Sequence, residues 1–241
     1  MRRQNCSRFH RIAAAVLAGL WLVAPPLQAE ERPVVVELFT AQGCSACPPA
    51  DAFLAQLAAR DDVIALALHV DYWDYIGWKD TFATPAHSAR QRGYAAAAGR
   101  KMVYTPQIVV NGTEHAVGTR FREVIDLIDT HRADAGSGVS VQLRREDGLV
   151  RLEAQATGPY ETPLAVLLAR YVPEATVSVA RGENAGRVLT YTNVVTELSE
   201  IATLTSETRL VLEFDWPRDT PLAVLVQQRD HGPIEAAAQL P

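Results

Sequence analysis

Cysteine and methionine are scarce in this chain of 241 residues, which contains three cysteines and two methionines. Three cysteines are too few for a disulfide scaffold or for a four-cysteine zinc site. The chain also lacks an uninterrupted apolar run of about 20 residues, the length that a membrane-spanning helix needs. No nucleotide-binding glycine loop, serine-histidine-aspartate order or metalloprotease motif is present. The sequence therefore offers none of the common signatures of those enzyme classes.

The first 29 residues are predicted to be an export signal. They contain four arginines and no acidic residue, then the apolar run Ile12 to Ala24, and they end in Pro25-Pro26-Leu27-Gln28-Ala29. Because this run of 13 residues is too short to span a bilayer, cleavage after Ala29 is expected rather than retention as an anchor. We therefore expect a periplasmic or secreted protein whose mature chain has no membrane span.

Basic residues are outnumbered once this signal is removed. The loss of four arginines leaves 19 basic against 28 acidic residues, a formal charge of −9, so neither nucleic acid nor an anionic membrane surface is expected as a partner. Cys6 leaves with the signal, and the mature protein keeps only Cys44 and Cys47. A bridge between residues so close in sequence constrains almost no chain entropy, so a chemical role is expected for this pair.

Residues 30–134 alternate apolar runs with helical patterns, which predicts an α/β domain. The predicted elements are strand Val34 to Phe39, helix Ala50 to Arg60, buried strand Val63 to Val70, helix Ala83 to Gly99, a hairpin from Ile108 to Val117 that turns at Asn111-Gly112, and helix Phe121 to Ala133.

A second domain is predicted for residues 135–241. The composition changes at Asp134-Ala-Gly-Ser-Gly138, which predicts a linker. Downstream, short apolar runs follow one another at a spacing of about ten residues, which is typical of a β-sandwich. The predicted fold is therefore an α/β domain followed by an all-β, sandwich-like C-terminal domain. Arg181 to Arg187 is predicted to be a hairpin turn, with a contact to the first domain or to a partner as its functional interpretation.

Cys44 and Cys47 lie between the first predicted strand and the helix that follows it. Only a thiolate attacks a disulfide, and a free cysteine with a pKa of about 8.5 is mostly protonated at neutral pH. At the start of a helix, unpaired backbone N–H groups and the positive end of the helix dipole favour an anion. We therefore expect Cys44 to be the nucleophile and Cys47 to be the thiol that resolves a mixed disulfide.

A metal site is the main alternative for this pair. Zinc prefers four ligands, so one or more of His69, His87 and His115 would have to contribute. Two thiolates can hold Cu(I), so a copper site on Cys44 and Cys47, with His69 as a further ligand, stays open. Within an apolar strand, His69 is more often a core histidine. A purely structural cysteine pair is the third interpretation.

Thr105 and Pro106 precede the predicted strand of the hairpin. An X-Pro bond can be cis, and the first residue of a strand tolerates a missing N–H. Beside a dithiol, a cis Pro106 would leave the backbone of Thr105 free to pair with an extended substrate chain. The alternative is an ordinary loop proline.

An aromatic-rich loop from Asp71 to Asp80 follows the second predicted strand. Loops just past strand ends bind ligands in many α/β sheets. Trp73, Asp74 and Trp78 are therefore candidates for a surface that faces substrate. The alternative is a packing role, because aromatic side chains contribute mainly by burying area.

Three sequence blocks carry a resemblance to a known family. They are Glu-Leu-Phe-Thr-x-Gln-Gly-Cys-Ser-x-Cys-Pro-Pro-Ala-Asp at 37–51, His-Val-Asp-Tyr-Trp-Asp-Tyr-Ile-Gly-Trp-Lys-Asp at 69–80, and Tyr-Thr-Pro-Gln at 104–107. Together they resemble an exported bacterial family, domain of unknown function 1223 (DUF1223), and residues 181–187 extend the resemblance. More broadly, residues 33–133 resemble the thioredoxin superfamily.

This resemblance implies a thioredoxin-like fold in which Cys44 is the nucleophile, Cys47 the resolving thiol and Pro106 a cis proline supported by Thr105. Glu37 resembles the buried carboxylate with which some thioredoxins accept the proton of the resolving thiol. The alternative for Glu37 is an ordinary strand glutamate with an exposed head. Thioredoxins have Trp-Cys-Gly-Pro-Cys where this chain has Gly-Cys-Ser-Ala-Cys, so their redox poise does not carry over.

The expected function is that of an exported thiol-disulfide oxidoreductase that needs no cofactor. Its expected partners are a protein or small molecule that carries a thiol or disulfide, and an unidentified redox protein that recycles the dithiol. One alternative is a non-catalytic module on the same fold that binds Cu(I) or a partner protein. Another is an envelope interaction protein that acts through its β-domain.

Overall fold

The fold is built around two parallel strands that are buried along their whole length. The structure is a computed structural model that describes residues 32–134, 136, 138–206 and 208–241. Strands β1 (Val34–Thr40) and β2 (Val63–His69) pair from Val34 opposite Val63 to Thr40 opposite His69. Their near-continuous apolar sequence is what strands covered on both faces require.

The remaining elements of the first half follow the predicted order, with small shifts at their ends. Helix α1 begins at Pro48 rather than Ala50, because the first turn of a helix tolerates prolines that lack an N–H. The elements are α1 (Pro48–Ala58), a 3-10 helix (Asp71–Ile76), α2 (Pro85–Ala97), β3 (Gln107–Val110), β4 (Glu114–Val117) and α3 (Phe121–Ala133).

The described residues after α3 are dominated by strands. These strands are β5 (Val139–Glu146), β6 (Leu149–Ala156), β7 (Leu164–Ser178), β8 (Val188–Leu204), β9 (Arg209–Asp215), β10 (Leu222–Gln227) and β11 (Ile234–Leu240). Among the described residues, no helix has both the length and the apolar character that a membrane crossing requires.

Strands from both halves of the chain share one mixed sheet, in the order β11-β10-β7-β8-β2-β1-β3-β4. Strand β8 joins β2 in parallel, with Val194 opposite Ala67, and Asn193 Nδ2 donates to the carbonyl of Ala65 at 2.9 Å. A second sheet has the order β5-β6-β9. The chain is therefore a mixed, sheet-dominated α/β fold.

The prediction of an α/β fold is confirmed in this coarser form, but the strands predicted to form an all-β, sandwich-like C-terminal domain are divided between the two sheets. Strands β7 and β8 have 15 and 17 residues, well beyond the spacing of about ten that predicted short strands. Their length lets them continue the sheet of the first half. The boundaries at 30–134 and 135–241 stay a prediction, and the export segment 1–29 lies outside the described residues.

Two apolar clusters cover the two faces of β1. Val34, Val36 and Leu38 pack under α1 and α3, together with Phe53 and Ile128. Val35 and Phe39 belong to a second cluster that includes Tyr94 of α2, residues of β7 and β10, and both Cys44 and Cys47. The cysteines therefore lie at the edge of the core that joins the two halves of the chain.

Candidate functional site

The two cysteines lie in the turn between β1 and α1 and form a disulfide. Cys44 N–H donates to the carbonyl of Ala41 at 3.1 Å, and Cys47 N–H donates to the carbonyl of Cys44 at 3.2 Å. Cys47 is the residue just before α1, and its carbonyl accepts from Asp51 N–H at 3.1 Å. The exposed fractions are 1% for Cys44 and 0% for Cys47, so both sulfurs are covered.

Gln42 fixes this turn to the aromatic loop. Its backbone N–H donates to Asp80 Oδ2 at 2.7 Å, and its side-chain oxygen accepts from Trp78 Nε1 at 2.8 Å. Its side-chain amide donates to Thr81 Oγ1 at 3.1 Å. Gln42 is fully buried, and its backbone N–H, side-chain oxygen and side-chain amide each have a hydrogen-bond partner within the protein. Sequence reasoning missed this residue, although it lies within the block 37–51.

The 3-10 helix places the other predicted tryptophan, Trp73, beside Gly43 of the dithiol turn. Trp73 Nε1 donates to Thr105 Oγ1 at 2.8 Å, which links the aromatic loop to the residue before Pro106. Asp74 Oδ1 accepts from the N–H of Asp80 at 3.0 Å, so its carboxylate shapes the loop itself. The structure thus brings Trp73 and Trp78 to the dithiol turn, and Asp74 to the backbone of the loop.

Pro106 is buried and approaches the first turn of α1. The peptide bond between Thr105 and Pro106 is cis. Gly118 permits the approach, because a Cβ at this position would lie 2.9 Å from Pro106 Cβ and 3.0 Å from Ala50 Cβ. Pro106 and helix α1, which follows the cysteines, therefore both lie close to Gly118.

Glu37 is a buried glutamate with partners of its own. Its carboxylate accepts from Arg90 Nε at 2.6 Å and Arg90 Nη2 at 3.1 Å, and from the Tyr94 hydroxyl at 2.5 Å. Gln227 Nε2 of β10 donates to the same hydroxyl at 3.0 Å. The structure therefore ties Glu37 to α2 and β10, and its hydrogen bonds do not involve either cysteine.

Asp51 is the buried carboxylate on the same face of α1 as Cys47, one turn further along the helix. Its exposed fraction is 6%, and neither carboxylate oxygen forms a hydrogen bond of normal geometry. Burial raises the pKa of Asp51 to about 7, and the neighbouring His69 and Thr40 offset only part of that rise. Asp51 is thus a buried acid with a pKa near neutral, one helical turn from Cys47.

His69 belongs to the same buried polar cluster. Its Nδ1 lies 2.8 Å from Asp80 Oδ2, and its ring packs edge to face against Tyr191 with centroids 4.6 Å apart. Burial opposes ionisation of Asp80, but hydrogen bonds from His69, Gln42 N–H and Phe82 N–H hold the pKa of Asp80 below its usual value. The atoms without hydrogen bonds in this cluster are Thr40 Oγ1, both Asp51 oxygens, His69 Nε2 and the Tyr191 hydroxyl.

The described residues contain no group of three or more histidine, cysteine, aspartate or glutamate side chains with the arrangement of a metal site. His87, which the zinc alternative would use, is buried, and its Nδ1 lies 3.0 Å from the carbonyl of His69. The Nδ1 atom of His115 lies 2.9 Å from Gln107 Nε2. Cu(I) on two thiolates would need only Cys44 and Cys47, so that alternative stays open.

A comparison with protein-family models shows the family of this chain. The family model described as protein of unknown function DUF1223 matches residues 35–227. A crystal structure of a protein from Agrobacterium tumefaciens is similar at 32% identity and a TM-score of 0.74, over 86% of this chain and 93% of that one. HBP35 of Porphyromonas gingivalis shares the fold at 15% identity and a TM-score of 0.59, over 87% of this chain and 74% of that one.

A search of curated proteins gives no match. The family match covers most of the chain, including the dithiol turn, the aromatic loop and the turn at 181–187. The predicted membership is confirmed, and the chain belongs to the DUF1223 family.

Proposed function

We propose that this protein is an exported thiol-disulfide oxidoreductase whose first half has a thioredoxin-like fold. The order β2-β1-β3-β4, with β1 and β2 parallel and joined through α1, supports this fold. The observation that carries the function is the Cys44–Cys47 disulfide at the start of α1, with the buried, unpaired carboxylate of Asp51 on the same helix face. A structural disulfide needs no acid that titrates near neutral pH behind it.

In the proposed reaction, the Cys44 thiolate attacks one sulfur of a substrate disulfide, and the S–S bond of the substrate breaks. The second substrate sulfur leaves with the bonding electron pair and takes up a proton. The Cys47 thiol then gives its proton to the Asp51 carboxylate and attacks the Cys44 sulfur. The intramolecular disulfide forms, and the first substrate sulfur leaves as a thiolate. Two electrons pass from the dithiol to the substrate, and the reverse sequence oxidises a substrate dithiol.

Asp51 replaces Glu37 as the proton acceptor in this mechanism. Glu37 is held in a bidentate contact with the guanidinium of Arg90, which occupies both oxygens of its carboxylate. Asp51 has no such partner and shares its helix face with the resolving thiol. A general base with a pKa near the working pH transfers protons most effectively.

The test of the function is an equilibrium between the protein and thiol-disulfide buffers of graded potential, glutathione first and dithiothreitol at lower potentials. We expect a two-electron transition in the fraction of reduced protein, with a glutathione adduct at Cys44 among the intermediates. The absence of any transition and of any adduct would overturn the proposal. Retention of one Cu(I) per chain without exchange activity would instead support the metal-binding alternative.

Asp51→Asn is expected to slow the resolution of the mixed disulfide by about 10²-fold, because the amide cannot accept the proton of Cys47. The measurement is the release of glutathione from a preformed adduct at Cys44, followed over time from pH 5 to 9. Asp61→Asn, at an exposed aspartate just beyond α1, is the control and should match the wild type. Equal release rates for Asp51→Asn and the wild type would exclude the proton-acceptor role.

The same variant is expected to change how stability depends on pH. Burial raises the pKa of Asp51 from 3.8 to about 7, so between those values the folded state keeps a proton that the unfolded state has lost. The contribution of Asp51 to stability therefore falls as pH rises from about 4 to about 7. Urea denaturation of the wild type at several pH values should show this fall, and Asp51→Asn should lack it. A wild type without this fall would contradict the raised pKa.

A further inference from the structure

The turn between β7 and β8 lies against the dithiol turn. We call residues Arg181–Arg187 the strap. Asn184 of the strap has an exposed fraction of 1%, and its side-chain amide donates to the carbonyls of Gln42 and Cys44 at 2.9 Å each. Arg187 in turn donates to Asn184 Oδ1 at 2.7 Å. The buried amide thus fastens the strap to the backbone of the nucleophile itself.

Glu183, next to Asn184, places its carboxylate against Ser45, the residue that follows Cys44. It accepts from Ser45 Oγ at 2.7 Å and from Ser45 N–H at 3.1 Å. These hydrogen bonds lower the pKa of Glu183, so the carboxylate is charged at neutral pH. A negative charge is therefore held within one residue of the sulfur that must ionise.

The backbone donors near Cys44 are few. Pro48 and Pro49 begin α1 and have no N–H, so the donors closest to an anion on Cys44 are those of residues 45–47. Cys47 N–H already donates to the carbonyl of Cys44, and Ser45 N–H donates to Glu183. With the strap in place, Glu183 occupies the N–H of Ser45, one of these few donors, and its negative charge opposes ionisation of Cys44.

Ile76 lies close to both the strap and the dithiol turn. A Cβ at Gly43 would lie 2.7 Å from Ile76 Cδ1, and a Cβ at Gly182 would lie 2.9 Å from the same atom. The two glycines thus let one isoleucine of the 3-10 helix contact both turns at once. Ile76 therefore packs between the strap and the residue just before Cys44.

We infer that the strap is an autoinhibitory cover, in which Asn184 anchors the segment and Glu183 keeps Cys44 in its less reactive form until a substrate displaces both. The inference rests on the proposed exchange reaction at Cys44. Displacement frees the N–H and hydroxyl of Ser45 and removes the carboxylate from the vicinity of the sulfur. A partner that binds beside the dithiol would therefore activate the nucleophile by the same movement that exposes it.

The test is the alkylation of Cys44 by iodoacetamide in the reduced protein, quantified by peptide mass spectrometry as a function of pH. Glu183→Gln is expected to raise the rate at pH 7 by about fivefold and to move the apparent titration of Cys44 to lower pH, the size of effect that one nearby charge has in a solvated site. Glu174→Gln, at an exposed glutamate on the same pair of long strands, is the control and should leave the rate unchanged. Added salt should raise the wild-type rate toward that of Glu183→Gln, because salt screens an exposed carboxylate.

Two results would overturn the inference: Glu183→Gln with the wild-type rate at all pH values, or Glu174→Gln with the same acceleration. The proposed function is tested separately, by exchange with glutathione disulfide. If Glu183→Gln is alkylated faster but the protein exchanges no disulfide, the inference about the strap would stand and the proposed oxidoreductase function would be excluded. If the protein exchanges disulfides but Glu183→Gln is alkylated at the wild-type rate, the proposed function would stand and the inference about the strap would be excluded.

Discussion

Replacing Cys44 by serine is expected to reduce disulfide exchange to the uncatalysed background, a loss on the order of 10³-fold or more. A serine hydroxyl stays protonated at neutral pH and does not attack a disulfide, so no mixed disulfide can form. The measurement is turnover with insulin and with glutathione disulfide as substrates. Turnover equal to that of the wild type would show that the dithiol turn is not the reactive centre.

The matched variant is Cys47→Ser, which keeps the nucleophile and loses the resolving thiol. It should form the mixed disulfide and stop there, so that an adduct at Cys44 accumulates as one glutathione per chain. The pair of variants separates attack from resolution. If Cys47→Ser formed no adduct while Cys44→Ser did, the two cysteines would have the opposite roles from those proposed.

Replacing Arg90 by methionine is expected to lower the free energy of unfolding by about 3–5 kcal/mol, the usual effect of removing one partner from a buried ion pair. Glu37 is 0% exposed, and Arg90 Nε donates to its carboxylate at 2.6 Å, so the variant leaves a buried carboxylate without its cation. The Tyr94 hydroxyl is a neutral donor and cannot replace the lost charge. Urea denaturation at neutral pH measures the difference.

The control for this prediction is the partly exposed pair of Arg60 and Asp62, whose side chains are 28% and 22% exposed. Arg60→Met should cost no more than about 1 kcal/mol, because water solvates the remaining carboxylate. Replacing both members of the buried pair, as in Glu37→Leu with Arg90→Met, should restore part of the stability lost in the single variant. A loss in Arg90→Met as small as that in Arg60→Met would show that the ion pair does not stabilise the core.

Local sequence patterns were sufficient for the elements around the dithiol. The apolar run Val34 to Phe39 and the nearly continuous run Val63 to Val70 predicted two buried strands, and these form the parallel pair β1 and β2. The helix between them follows from the spacing of its apolar residues. These predictions succeeded because the period of apolar residues is a local property of the chain.

The contacts that complete the site join positions too far apart for such patterns. Arg90 lies 53 residues from Glu37, and Asn184 lies 140 residues from Cys44. The spacing of the charges did not indicate the first pair, and the predicted contact of residues 181–187 with the first half of the chain did not identify Asn184 or Cys44. Asp51 was within reach of sequence reasoning, since its position four residues after Cys47 places both on one helix face. Its burial without a hydrogen bond of normal geometry, however, follows only from the tertiary structure.

The pairing of β8 with β2 could not be predicted from the sequence, for a related reason. The short apolar runs of the second half predicted strands, but the partner of a strand is set by the tertiary structure. Val194 pairs with Ala67, which is more than a hundred residues away in sequence, and this pairing brings the strap to the dithiol turn. A composition change marks a loop but does not show whether strands on its two sides pair, so this contact could not be predicted from the sequence.

The distance in sequence between Cys44 and Asn184 also sets the order of events while the protein is made. Synthesis runs from the N-terminus, so the cysteines leave the ribosome 140 residues before the side chain that later covers them. During that interval the dithiol turn has no strap, because Asn184 has not yet been added to the chain. The hydrogen bonds that cover the backbone of Cys44 therefore form only after synthesis has passed Asn184 in the second half of the chain.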